Sequence, residues 1–190
     1  MTNEGMQVTR LLESLRGDAR AADLLFPIVY AQLHKLAQRQ LAIAAGATLT
    51  PTELVHETYI KLCNGNLSEA IDRRHFFAIG AKAMRQVLVS RARQRNADKR
   101  DGGERVTLTP DLPVAARASA VVDVIALDEA LNALAAEDAR KARAIELRTF
   151  GGLEFDDIAD MLGISRATLA RDYRAAQAWL RVALDLPGPA

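Results

Sequence analysis

A chain of 190 residues that is 49% hydrophobic but only 5% aromatic has the apolar mass for one or two helical cores and suits a β-sandwich poorly. Its formal net charge of +1 gives no global pull towards nucleic acid, and the single Cys63 excludes an internal disulfide or a cysteine-based zinc site. No secretory signal is expected and no apolar run is long enough to cross a bilayer, so the reading is a cytoplasmic protein with no membrane partner.

Val8, Leu11, Leu12 and Leu15 fall on one side of a first helix over Val8–Arg16, and Gly17 ends it. Asp18 can cap a second helical stretch, which carries Leu24, Leu25, Ile28, Val29, Leu33, Leu36 and Leu41 towards Gly46, with a kink expected at Pro27. Thr50-Pro51-Thr52-Glu53 is a capping box: Thr50 is the N-cap, Pro51 takes the first helical position and Glu53 reaches back. Leu54, Val55, Thr58, Tyr59 and Leu62 then give this third helix a buried side, and Gly65 closes it. A fourth helix is expected from Arg74 to Asp98, lined by Phe77, Ala81, Met84, Leu88 and Ala92, with Phe76 and Phe77 both read as core. Its end is basic: six Lys or Arg and only Asp98 as an acid lie between Arg85 and Arg100, whereas Asp128–Asp160 is predominantly acidic. Such neighbouring blocks suit a protein that meets DNA with one surface and protein with another.

Residues 101–120 break all periodicity with paired Gly, two Pro and small side chains, the composition of a linker. Helices resume near Val121, with Val124, Leu127, Leu131 and Leu134 on one side of the first and Ala144, Leu147 and Phe150 on another. After Gly151-Gly152, the stretch Leu153–Leu184 reads as a helix-turn-helix. Ile158, Ala159 and Leu162 face inward, Gly163 supplies the sharp turn, Ile164 plugs the corner and Ser165 caps the next helix. That helix buries Leu169, Tyr173, Ala176 and Leu180, leaving Arg166, Thr168, Arg171 and Arg174 at its front and open side, where a recognition helix meets bases and phosphates. The expected fold is all-α, with a helical domain over 1–100, a linker over 101–120 and a helix-turn-helix domain over 121–186.

This order of parts resembles a bacterial RNA polymerase sigma factor of the extracytoplasmic-function type. The resemblance rests on Leu54–Leu62, Phe76–Arg100, Leu127–Leu134, Phe150-Gly151-Gly152 and the helix-turn-helix, and it covers nearly the whole chain. It implies that the first domain binds core polymerase and opens the minus-ten element, while the last reads the minus-thirty-five element. On that reading Lys82, Arg85, Gln86, Arg91 and Arg93 are the minus-ten candidates. Ser165, Arg166, Thr168, Arg171 and Arg174 are the minus-thirty-five candidates. Glu53, His56, Glu57 and Lys61 would meet the clamp helices of the polymerase β′ subunit, and an anti-sigma factor is a further partner the family suggests. Members usually carry acidic residues where this chain has Thr50-Pro51-Thr52-Glu53, so a Ser/Thr kinase acting on Thr52, with Thr50 second, would restore the missing charge.

Two rival readings are weaker. His56-Glu57 could begin a zinc-protease motif, but Ile60 stands where the second His must be, and His34, His56 and His75 fall on separate helices. No metal, cofactor or catalytic residue is therefore expected. A stand-alone helix-turn-helix regulator would bind a palindrome as a dimer, without polymerase.

Overall fold

The computed structural model describes residues 3–14, 20–44, 47–64, 70, 72–100 and 123–186. The expected linker 101–120, the stops Gly17, Gly46 and Gly65, the cap Asp18 and the tail Pro187-Gly188-Pro189 lie outside them. Eight α-helices run through the described residues: α1 (Asn3–Ser14), α2 (Arg20–Ile43), α3 (Pro51–Cys63), α4 (Arg73–Arg100), α5 (Val124–Glu137), α6 (Ala139–Ile145), α7 (Phe155–Leu162) and α8 (Arg166–Ala183). No β-strand occurs among them, as the all-α expectation requires.

Local chemistry fixes the helix ends. Thr50 is extended (φ −77°, ψ 159°), its Oγ1 accepts from the Glu53 amide at 3.3 Å, and its own amide donates to Glu53 Oε2 at 2.7 Å. α1 begins before the expected Val8 and buries Val8 and Leu12. α2 continues through Pro27, whose lost donor is outweighed by the packing of Leu25, Val29 and Leu33, all buried. Phe76 and Phe77 are both buried, edge to face at 5.2 Å between ring centroids. α6 widens into a π-helical turn, Glu146–Phe150, in which the Gly151 amide donates to the Glu146 carbonyl at 3.0 Å. Ala144, Leu147 and Phe150 are buried there, as their spacing predicts.

The cores are not segregated between two modules. Most of α1–α4 forms one apolar cluster, but Val124 of α5 joins it. Ala81 of α4 packs with α5, α6 and α8, and Ala78 of α4 packs with α7, α8 and the π-helical turn. One face of α4 is therefore the floor on which the C-terminal helices sit. Arg74 reinforces that seat by donating to Asp157 of α7 at 3.0 Å, with Asp160 at 3.5 Å.

Candidate nucleic-acid interface

The most exposed basic surface of the C-terminal helices is built on α8. Gly163 adopts the left-handed conformation (φ 64°, ψ 34°) that ends α7, and nothing lies within 4 Å of a Cβ placed there. Ser165 then caps α8, accepting from the Thr168 amide at 3.1 Å. Ile158, Ala159 and Leu169 are buried and Ile164 packs against them, so the turn is held from within. Tyr173, expected in the buried row, is only partly covered and stacks edge to face on Phe155.

Arg166, Arg171 and Arg174 project from the opposite side and are exposed. Arg166 pairs with Asp156 at 3.1 Å, an exposed pair of small net worth that a phosphate can replace. Among the described residues, the Arg174 side chain donates only to the Ala170 carbonyl, at 3.2 Å. Thr168 is half-buried, its hydroxyl 2.9 Å from that of Ser165. Asp172, which the sequence reading missed, is buried on the inner side of this helix and accepts from Arg140 Nε at 2.8 Å. It ties α8 to α6, so the arginine row stands on a fixed helix.

The basic end of α4 is arranged differently from expectation. Lys82, Gln86, Arg91 and Arg93 are exposed. Arg85 is not: its side chain is 5% exposed and donates to Asp128 at 2.8 Å and to Glu146 at 2.6 Å. Its guanidinium also lies over the Phe150 ring, 5.9 Å from the centroid. Arg85 therefore turns inward rather than outward, because a buried guanidinium demands carboxylate partners and the C-terminal helices supply two. Arg93 adds a looser pairing, 3.9 Å from Asp128.

Along α3, Glu53, His56 and Lys61 are exposed and Glu57 is half-buried. Arg91 of α4 donates to both Glu57 oxygens, so a minus-ten candidate holds a polymerase candidate. Glu53 is held below the ordinary carboxylate range, chiefly by the Thr50 amide, then by the Thr50 hydroxyl. Ile60 on this helix is 61% exposed, an apolar spot among charges that the periodicity did not flag. Thr52 is exposed, its hydroxyl bonded to no described residue, whereas the Thr50 hydroxyl also donates to Glu53 Oε2 at 2.8 Å.

Long-range partners account for what sequence reasoning missed. Asp128 and Glu146 lie 43 and 61 residues from Arg85, and no local pattern joins them. No helix among the described residues is long and apolar enough to cross a membrane.

A family model described as ECF sigma factor matches residues 5–186 of this chain. No curated protein sequence matches it.

Proposed function

The chain belongs to the ECF sigma factor family, and from that premise we propose how its surfaces divide the work of transcription initiation. The family binds core RNA polymerase and promoter DNA, and this chain is a sigma factor of that kind. In the proposed division, α1–α4 (domain 1–100) holds polymerase and the minus-ten element, 101–120 tethers, and 121–186 reads the minus-thirty-five element. The observation that carries this is the α7–turn–α8 unit: a glycine turn in the left-handed region, a serine cap, a buried tie through Asp172, and three exposed arginines on the free side.

On α8, Arg166, Arg171 and Arg174 reach bases or phosphates, Thr168 offers its methyl, and Ser165 fixes the helix start facing the DNA. On α4, Lys82, Gln86, Arg91 and Arg93 follow the opened strand, and Arg85 joins them only when Asp128 and Glu146 withdraw. On α3, Glu53, His56, Glu57 and Lys61 meet a basic polymerase surface, with exposed Ile60 at the centre of the contact. A Ser/Thr kinase supplies the acidity this surface lacks by modifying Thr52, whose hydroxyl is exposed; Thr50 is the poorer target because its hydroxyl is engaged in the cap. The protein works in the cytoplasm beside polymerase, and an anti-sigma factor is a further regulator for the exposed faces of α3 and α4.

The test is co-purification with core polymerase followed by run-off transcription from an asymmetric promoter. Arg171→Ala is expected to keep polymerase binding but lose about 1–3 kcal/mol of minus-thirty-five discrimination. Transcription from a cognate promoter that is indifferent to Arg171→Ala shows the recognition face to lie elsewhere.

A further inference from the structure

A cleft of about 380 Å³ opens where α2 and the start of α4 meet the Gly151-Gly152 turn, away from the α8 arginine row and the Arg91–Arg93 end of α4. Its polar wall holds Lys35, Arg39, Arg73 and Gln32, and no carboxylate is among the described residues that line it. Lys35 and Arg39 stand one helical turn apart on α2, a like-charge pair that disfavours itself, and neither forms an ion pair with a described residue. Arg73 is placed rather than neutralised: it donates to the Gln32 side-chain oxygen and lies over the Phe77 ring, 5.1 Å from the centroid. Everywhere else at the seat between α4 and the C-terminal helices, arginine meets carboxylate, at Arg74–Asp157 and at Arg85–Glu146. Here the carboxylate is missing.

The rest of the cleft is apolar, with Val29, Leu36 and Phe77 among its walls. Arg39 approaches Gly152 so closely that a Cβ there, besides being strained at φ 64°, collides with the guanidinium and presses on Leu36. The glycine thus leaves room for Arg39 to lie across the turn. Two guanidinium forks and an ammonium above an apolar floor match one chemistry: a phosphate group carried on a flat or apolar moiety. The volume falls in the range of small-molecule sites.

We propose that this cleft is a binding site for a small organic phosphate of mononucleotide size. The three cations take the phosphate, and the less buried apolar wall at Ile28 and Ala31 takes the apolar part. Because Gly151 and Gly152 belong to the C-terminal part and the other walls to α1, α2 and α4, the bound ligand favours the docked arrangement of the two halves.

The experiment is calorimetric titration and thermal denaturation of the full chain with AMP, pyrophosphate and inorganic phosphate, ionic strength held constant with chloride. Saturable binding of AMP is expected, at least tenfold tighter than inorganic phosphate, with a rise in Tm. Arg39→Ala and the exposed Lys35→Gln are each expected to weaken it tenfold or more, whereas Arg181→Gln, on α8 outside the cleft, leaves it unchanged. Three results overturn the proposal: no saturable binding at millimolar ligand, binding that both cleft variants leave intact, or equal affinity for AMP and inorganic phosphate. Displacement of AMP by a short DNA duplex with the same loss in Arg39→Ala also overturns it, since the cleft is then part of the DNA track.

Discussion

Thr50 gives its hydroxyl and its amide to Glu53, while Thr52, two residues on, gives its hydroxyl to no described residue. The two threonines therefore predict different losses. Thr50→Ala is expected to lower stability by about 1 kcal/mol, read as a shift in the denaturant midpoint, because an orphan helix donor loses its acceptor. The carboxylate side of the same cap is pH-dependent: with Glu53 held below its usual range, its contribution is complete above the unfolded pKa and fades as pH falls through the folded one. Thr52→Ala is expected to leave stability within about 0.5 kcal/mol of wild type yet to stay inactive under inducing conditions, with Thr52→Glu partly active without a kinase. Full target-gene transcription in Thr52→Ala, with no phosphothreonine on the protein, would remove the switch.

At the scale of an element, the turn between α7 and α8 stands on backbone conformation rather than on space. With nothing near its would-be Cβ, Gly163→Ala is expected to cost about 1 kcal/mol from the left-handed backbone alone, and Gly163→Asn less, in equilibrium unfolding. α8 has a second anchor: Arg140→Ala leaves the buried Asp172 carboxylate without its partner and is expected to cost on the order of 1–3 kcal/mol. A loss of minus-thirty-five binding that follows this destabilisation identifies Asp172 as the strut of the recognition helix. These elements also show what was legible beforehand. The capping box at Thr50, the turn at Gly163 and the apolar rows of α4 and α5 are local patterns, and each is where the spacing puts it. Asp172 was not legible: a charged residue between Arg171 and Tyr173 looks like part of a solvated face, and only α6 packing against α8 makes it internal. Nor was the burial of Arg85, because a run of basic residues gives no sign of which one turns inward.

Across the whole molecule, Arg85 is the buried charge at the seat between α4 and the C-terminal helices. Asp128→Asn with Glu146→Gln removes both of its carboxylates and strands a buried guanidinium, a loss of about 3–5 kcal/mol in comparable broken pairs. The expected outcome is separation of the halves, seen as a larger radius of gyration in solution scattering, with tighter binding to minus-ten single strands. An unchanged radius places the holding force instead in the apolar seat of Ala78 and Ala81. Replacing Arg91 and Arg93 together tests the outward face: open-complex formation is expected to fall and its salt dependence to flatten. The Arg91 change also releases Glu57, so polymerase affinity is to be measured beside it.

The seat made of arginines and carboxylates has a thermodynamic corollary. Added salt loosens the attraction between the halves, most at the part-exposed Arg74 and least at Arg85. The same salt weakens the grip of the freed cations on phosphates. Ionic strength thus acts with opposite sign on two successive equilibria, release and capture. Promoter activity plotted against salt is therefore expected to be a hump rather than a decline, and a monotonic fall in run-off transcription would count against release preceding capture.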